Sequence, residues 1–104
     1  MAGVFTESVC SLLMSVPAGR VVTYGSLAAA AGSPRGARQV VRILHTQTRK
    51  RGLPWHRVVA AGGRIALTDS MASDLQKEKL RSEGIEFGLS GVVDLNLYAW
   101  DFSV

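Results

Sequence analysis

The stretch SLAAAAGSPRGARQVVRILHT, residues 26–46, decides the fold because it predicts two helices joined by a tight turn. The first helix is expected over 26–31, where a Leu-Ala-Ala-Ala-Ala run ends at Gly32, a residue type that commonly closes helices. A Ser-Pro pair then supplies an N-cap and a first helical residue, which predicts a second helix over 34–46. Basic and polar residues on that helix are typical of a DNA-binding helix-turn-helix, although helical hairpins that bind no DNA have the same pattern.

Further elements are predicted on both sides of this unit. Apolar residues at helical spacing predict a first helix over 2–15. The pairs 58–59 and 64–65 flank an Ala-Ala-Gly-Gly turn, which predicts a very small β-hairpin or wing. The residues expected on the apolar stripe of helix 34–46 are Ala37, Val40, Val41 and Leu44.

The C-terminal part is expected to hold one more helix, over 73–83, with a capping box between Ser73 and Gln76 and with Gly84 after its end. The tail 85–104 is apolar, so it should pack on the domain or on a partner. With 104 residues and 47% hydrophobic content, the chain is predicted to form one mainly α domain over 1–104, of the winged helix-turn-helix type.

Positive charge is concentrated in one segment. The chain has 12 Lys and Arg against 8 Asp and Glu, and residues 35–57 contain no acidic residue. A solvated charged face would explain this cluster, but its position on a helix favours a phosphate-binding surface. The basic residues of the segment are Arg35, Arg38, Arg42, Arg49, Lys50, Arg51 and Arg57.

Cys10 is the only cysteine, so no internal disulfide can form, and a reducing, cytoplasmic location is expected. Together with His45 and His56 it makes no zinc-site pattern, and neither a metal nor another cofactor is expected. No apolar stretch reaches the roughly 18 residues of a membrane span, and no signal peptide is evident.

The segment Pro54-Trp55-His56-Arg57-Val58 is similar to the active-site motif Pro-Cys-His-Arg-Val of the O6-alkylguanine-DNA alkyltransferases. Three further blocks resemble that family in order and spacing: 19–28, 36–40 and 80–84. Trp55 stands where the family has its methyl-accepting cysteine. Because an indole has no nucleophile of low pKa, the resemblance is to the alkyltransferase-like branch, and no enzymatic activity is expected.

The resemblance implies that the helix-turn-helix enters the minor groove and flips the damaged nucleotide out of the duplex. Arg38 matches the arginine finger that fills the vacated space, and Tyr24 matches the tyrosine that crowds the phosphate of the flipped nucleotide. Without the resemblance, an ordinary surface arginine and a core-edge tyrosine would explain both residues. The residues expected to contact DNA are Ser33, Pro34, Arg35, Gly36, Ala37, Arg38, Gln39 and Arg42.

Trp55 is implied to line the lesion pocket together with Tyr24 and Val58, and its indole would contact the base or the alkyl group. A core tryptophan that fills a lost active site is the alternative. The carbonyl groups of Trp55 and Val58 would face the purine edge. His56 and Glu83 match the pair that activates the family's thiol, and they are expected to remain here as a buried, hydrogen-bonded remnant.

Other positions leave the details of the pocket open. Gln47 takes the place of an asparagine that braces the family's turn after the recognition helix. The loop 66–71, which should form one wall of the pocket, matches poorly, so the alkyl groups that fit are undecided. Arg57 is expected to make either a structural or a phosphate contact.

The leading interpretation is a monomeric, non-catalytic sensor of O6-alkylguanine in duplex DNA. By resemblance it would mark the lesion for nucleotide excision repair proteins and shield it from alkyltransferases. The first alternative is a general or sequence-specific winged-helix protein without a lesion pocket, although Gly36 and Ala37 are poor base readers. The second is an enzyme that uses either Cys10 or the pair His56 and Glu83.

Overall fold

The computed structural model describes residues 3–102. The described part is mainly helical, as expected, and contains one two-stranded sheet. The helices are α1 (Val4–Ser15), α2 (Tyr24–Ala30), α3 (Ala37–Arg51), α4 (Ser70–Ser82) and the short α5 (Leu95–Tyr98). The strands are β1 (Val22–Thr23) and β2 (Val58–Val59), and 3₁₀ turns cover Trp55–Arg57 and Ala61–Gly63.

The two strands form a parallel pair, with Val22 opposite Val58 and Thr23 opposite Val59. The predicted hairpin between 58–59 and 64–65 is therefore wrong. Its Gly-Gly turn forms a tight 3₁₀ turn instead, closed by a hydrogen bond from the Ala60 N–H to the Arg64 carbonyl at 2.8 Å. The sheet ties the segment before α2 to the segment after the Pro-Trp-His-Arg motif, which brings both to the same side of α3.

The helix-turn-helix is confirmed, but α2 begins at Tyr24 and not at residue 26. Thr23 and Ser26 explain the earlier start because they form a capping box. The Thr23 hydroxyl accepts from the Ser26 N–H at 2.9 Å, and the Ser26 hydroxyl accepts from the Thr23 N–H at 3.0 Å. These two hydrogen bonds satisfy two amide groups at the start of α2, and they fix the point at which the chain passes from β1 into α2.

The start of α3 is at Ala37 and not at Pro34. Residues 33–36 form a turn in which the Gly36 N–H donates to the Ser33 carbonyl at 2.9 Å. Gly36 is buried there, and a Cβ atom at this position would lie 3.0 Å from the ring of Phe5 on α1. Glycine therefore allows α3 to begin in close contact with α1.

The end of α3 lies at Arg51, beyond the predicted end at Thr46, because Gly52 closes the helix in the left-handed conformation with φ 62°. Gln47 is inside the helix and accepts a hydrogen bond from Arg51 Nε at 2.9 Å. Gln47 therefore belongs to a regular turn of α3.

The apolar stripe of α3 also differs from its prediction, since Val40 and Ile43 are the buried residues of this helix. Val41 is 39% exposed. Leu44 is only partly buried and packs at the edge of the core. Val41 and Leu44 are therefore free to line a surface cleft.

Helix α4 starts at Ser70, and its N-cap is Asp69, whose carboxylate accepts from the Met71 N–H at 2.9 Å. The predicted capping box between Ser73 and Gln76 is wrong. Gln76 is only 2% exposed and lies well inside the helix, where it serves another purpose described below. Gly84 follows the helix with φ 92°, as predicted for the residue after the end.

The tail packs back on the described part of the chain, which confirms one of the two predicted outcomes. The Val21 N–H donates to the Tyr98 carbonyl at 2.9 Å, and the Trp100 N–H donates to the Val21 carbonyl at 2.8 Å. Trp100 and Phe102 pack against the core built from α1, α2 and α3. Earlier in the tail, the Val93 N–H donates to the Gly63 carbonyl at 2.9 Å.

The first helix was predicted to start at Ala2, which lies outside the described residues.

Candidate functional site

A cleft of about 460 Å³ opens beside the exposed end of α3. Its volume falls in the range of small-molecule binding sites. One wall is α3, and the others come from the start of α2, from the Trp55–Arg57 turn, from the loop before α4 and from α4 itself. The lining residues are Tyr24, Val41, Leu44, His45, Thr48, Arg49, Trp55, Leu67 and Ala72.

Tyr24 and Trp55 are brought together in this cleft, as the sequence predicted. Tyr24 is the first residue of α2, and burial raises the pKa of its phenol above the ordinary value. The phenol therefore stays protonated at neutral pH and can donate a hydrogen bond. Trp55 begins the 3₁₀ turn, and its ring packs edge-on against His56, with ring centroids 6.3 Å apart and an interplanar angle of 86°.

The wall formed by α3 contains residues that sequence reasoning did not assign to the cleft. His45, Thr48 and Arg49 follow Val41 and Leu44 along one side of the helix. Their spacing of three and four residues was the available signal, since such positions share a helix face. The signal was obscured because Val41 and Leu44 were assigned to the core. The Thr48 hydroxyl is buried and has no hydrogen-bond partner among the described residues.

Behind Trp55, the predicted pairing of His56 with Glu83 is confirmed. His56 Nε2 lies 2.7 Å from Glu83 Oε2, and both side chains are nearly buried. Burial by itself raises the pKa of Glu83, but hydrogen bonds from Arg57, His56 and the Gly19 N–H outweigh it and lower the pKa to about 2. Because the carboxylate is ionised and can only accept, the proton of this hydrogen bond is on His56 Nε2.

Arg57 makes a structural contact, which is one of the two kinds of contact expected for it. Its Nε donates to Glu83 Oε1 at 3.0 Å and its Nη2 to Glu83 Oε2 at 2.8 Å. Its Nη1 donates to the Val16 carbonyl at 2.9 Å. With the Gly19 N–H also bonded to Glu83 Oε1 at 3.1 Å, the carboxylate connects the loop after α1, the C-terminal end of α4 and the Trp55–Arg57 turn.

The side chain of Gln76, on α4, is hydrogen-bonded to the backbone of the same turn. Its side-chain amide donates to the His56 carbonyl at 3.1 Å and to the Val58 carbonyl at 2.9 Å. The Trp55 carbonyl accepts from the Val58 N–H. Val58 is 1% exposed, so its side chain belongs to the core and not to the cleft lining. Gln76 was missed because its partners are backbone carbonyls distant in sequence.

The residues predicted to contact DNA lie in the first half of α3 and in the turn 33–36 before it, where Gly36 is buried. Arg35, Arg38, Gln39 and Arg42 are exposed, and within residues 3–102 the Arg38 side chain has no hydrogen-bond or ion-pair partner. Ser33 and Ala37 are partly buried in the turn and the first turn of the helix, whereas Pro34 is exposed. Arg51 points elsewhere, since its guanidinium pairs with Glu7 of α1. Arg51 and Arg57 are thus engaged in ion pairs within the chain, whereas the other basic residues of segment 35–57 are exposed.

Cys10 lies in α1, is 3% exposed and does not line the cleft. Burial raises the pKa of its thiol, which disfavours the reactive thiolate. Among the described residues no group of three or more His, Cys, Asp or Glu side chains could hold a metal ion. No described helix is long and apolar enough to cross a membrane.

Comparison with known proteins shows which family the chain is similar to. Residues 4–85 match the family model described as the DNA-binding domain of 6-O-methylguanine DNA methyltransferase. The DNA base-flipping protein of Escherichia coli K12 is 42% identical over 100 residues, which cover 94% of this chain and 75% of that protein. Alkyltransferase-like protein 1 of Schizosaccharomyces pombe is 38% identical over 104 residues, covering 92% of this chain and 94% of that one.

A solved structure of the fission yeast protein is also similar. The crystal structure of S. pombe Atl1 in complex with damaged DNA containing O6-carboxymethylguanine superposes with a TM-score of 0.81 and 33% sequence identity. The match covers 93% of this chain and 94% of that chain.

Proposed function

Because the chain belongs to the family of 6-O-methylguanine DNA methyltransferase DNA-binding domains, with base-flipping and alkyltransferase-like proteins among its relatives, we propose that it recognises O6-alkylguanine in duplex DNA without removing the alkyl group. In this proposal α3 enters the minor groove, the damaged nucleotide is flipped out of the base stack, and the modified base enters the cleft beside Trp55. The observation that carries the proposal is the presence of Tyr24 and Trp55 in one cleft beside an exposed cationic helix.

Arg38 has the properties that a finger residue needs. It is exposed in the first turn of α3, and among residues 3–102 nothing binds its guanidinium. A flipped base leaves a gap in the duplex, and a planar, charged side chain can stack in it and hydrogen-bond the orphaned base. Gly36, two residues earlier, is buried against Phe5 of α1, so the start of α3 is held close to the domain while Arg38 projects from its surface.

Three observations support binding without chemistry. Trp55 occupies the position of the family's nucleophilic cysteine, and its indole cannot accept an alkyl group as a thiolate does. Cys10 is buried outside the cleft. The Glu83 carboxylate accepts hydrogen bonds from Arg57, His56 and Gly19, so it is already saturated and is a poor general base with its pKa near 2.

The consequences for repair belong to the same proposal. A lesion held in the cleft would be shielded from alkyltransferases, and the bent, flipped duplex would mark it for nucleotide excision repair proteins. One protein is sufficient for one lesion, since a single finger and a single cleft serve one nucleotide. We therefore propose that the protein acts as a monomer. A cytoplasmic location is a separate part of the proposal, and it rests on the single cysteine of the chain.

The test is fluorescence anisotropy with two duplexes that differ by one O6-methyl group on a single guanine, at fixed near-physiological salt, since charge alone changes affinity by orders of magnitude. Tighter binding to the methylated duplex is expected, with the methyl group still on the DNA after incubation. Equal and salt-sensitive binding to both duplexes would instead indicate a general DNA-binding protein. Methyl transfer to the protein, or its release into solution, would indicate an enzyme.

A further inference from the structure

The cleft changes character along α3. Val41 and Leu44 line it toward the start of the helix, and His45 and Arg49 line it toward the end. Val41, His45 and Arg49 are spaced by four residues, so they form one column on the helix surface. At 1.5 Å per residue this column is about 12 Å long. The lining of the cleft therefore changes from apolar to cationic over a distance that one small ligand can span.

The apolar part of the cleft continues on the other walls. Leu67 from the loop before α4 and Ala72 from α4 join Val41, Leu44 and the Trp55 indole. These side chains offer a substituent van der Waals contact and no hydrogen bonds. A neutral alkyl group would find all its contacts here, and nothing in this part of the cleft would distinguish one terminal group from another.

The cationic end is not neutralised by an acidic residue of the cleft lining itself. None of the lining residues is Asp or Glu. Glu7 is paired with Arg51, and Glu83 is paired with Arg57 and His56. Within residues 3–102 neither the His45 ring nor the Arg49 guanidinium has a hydrogen-bond or ion-pair partner. The positive charge at this end is therefore available to a ligand.

We propose that His45 and Arg49 form an anion subsite of the cleft, which favours O6-alkyl groups that end in a carboxylate over neutral groups of the same size. This inference rests on the proposed function, since it takes the cleft to be the lesion pocket. A guanidinium binds a carboxylate through two parallel hydrogen bonds, and the imidazole N–H can donate a third. Both side chains are exposed, so the carboxylate would meet them at the solvent-facing end of the cleft while the rest of the substituent contacts the apolar walls.

A second use of the same charges must be distinguished from this one. Arg49 could contact a backbone phosphate of the DNA, as exposed arginines on DNA-binding helices commonly do. A phosphate contact would raise the affinity for every duplex equally, with or without a lesion. A subsite contact would raise it only when the lesion carries a negative charge. The two roles therefore differ in how the effect of Arg49 depends on the lesion.

The experiment is a double-mutant cycle between the lesion and the protein. Three duplexes carry guanine, O6-carboxymethylguanine or O6-carbamoylmethylguanine at one position; the carbamoyl group has the shape of the carboxylate but no charge. The proteins are the wild type, Arg49→Gln, His45→Gln and the control Lys50→Gln, which removes an exposed charge next to Arg49 that does not line the cleft. Thermal unfolding of each variant verifies that it folds.

The wild type is expected to bind the carboxymethyl duplex about tenfold more tightly than the carbamoylmethyl duplex, as for a hydrogen bond to a charged group. Arg49→Gln should abolish this preference, His45→Gln should reduce it, and Lys50→Gln should leave it intact. If the wild type binds both lesions equally but more tightly than guanine, the anion subsite is wrong and the proposed function stands. If it binds all three duplexes equally, the proposed function fails and the subsite fails with it.

Discussion

Arg57 and Glu83 form a two-point ion pair, with Arg57 Nη2 2.8 Å from Glu83 Oε2 and Arg57 Nε 3.0 Å from Glu83 Oε1. The pair joins the turn that begins with Trp55 to the C-terminal end of α4. In a catalytic relative this glutamate would serve the activation of a thiol. Here it has a mechanical role, because it holds in place the turn that presents the indole to the cleft.

Glu83→Gln should destabilise the protein at pH 7 and lose this effect in acid. The pKa of Glu83 falls from 4.5 to about 2 on folding, which corresponds to roughly 3 kcal/mol of stability. Because the folded pKa is the lower one, this contribution is complete above pH 4.5 and disappears as the pH falls toward 2. Urea unfolding between pH 2 and 7 measures the difference. The exposed Glu78→Gln on α4 is the control. A difference in unfolding free energy between Glu83→Gln and the wild type that stays constant over this pH range would contradict the expectation.

Arg38→Ala should lower the affinity for a lesion duplex by roughly tenfold or more and should lower the affinity for undamaged DNA much less, because the flipped state loses the side chain that fills its gap. Arg35→Ala, an exposed charge on the preceding turn, should weaken both duplexes to a similar extent. Anisotropy titrations at the same salt measure, for each variant, the loss of affinity for the lesion duplex and the loss for undamaged DNA. If the ratio of these two losses is similar for Arg38→Ala and Arg35→Ala, Arg38 does not act as the finger.

Trp55→Ala should weaken lesion binding by about 1–3 kcal/mol, the range for loss of one base–aromatic contact, while Trp55→Phe should keep much of the affinity. Competition binding with O6-methylguanine and unmodified duplexes measures this loss. If both variants bound the lesion as the wild type does, Trp55 would be a core residue that fills the lost active site. Unfolding curves are needed alongside, since Trp55 is partly buried.

Gly63→Ala should detach the tail, whereas Gly62→Ala should have a much smaller effect. Both glycines have positive φ, at 86° and 78°, but a Cβ at Gly63 would lie 2.0 Å from the Val93 carbonyl oxygen, and a Cβ at Gly62 would meet nothing within 4 Å. The matched pair separates backbone strain, on the order of 1 kcal/mol, from the clash. Chemical unfolding measures the loss of stability, and the fluorescence of Trp100 reports whether the tail is docked. Equal losses of stability in Gly63→Ala and Gly62→Ala would show that backbone strain alone causes them.

The local parts of this fold were predictable, and the non-local parts were not. The helix-turn-helix and the glycine after α4 follow from spacing and residue type. The pairing of His56 with Glu83 joins residues that are distant in sequence, and it was expected only from the family resemblance. The parallel pairing of β1 with β2 does not follow from spacing or residue type, because it joins residues that are distant in sequence, and the Gly-Gly turn suggested a hairpin. The position of Gln76 was misread for the same reason, since its partners are carbonyls of another segment.

The candidate site was predictable in its aromatic residues and incomplete in its wall. Tyr24 and Trp55 came from the motif resemblance. His45 and Arg49 were visible only as members of a charged segment, and they entered the cleft because α3 is rotated so that Val40 and Ile43 face the core. A helix with apolar residues at 40, 41, 43 and 44 allows more than one such rotation. Packing against α1 and α2 decides between them, and the sequence of α3 alone does not.

The hydrogen bonds of Val21 to Tyr98 and Trp100 also make the start of α2 depend on a segment that is distant in sequence. Contacts of such sequence separation form late and slowly during folding. The wall of the cleft that contains Tyr24 should therefore reach its final structure only in the last steps of folding, after residues 98–100 have docked.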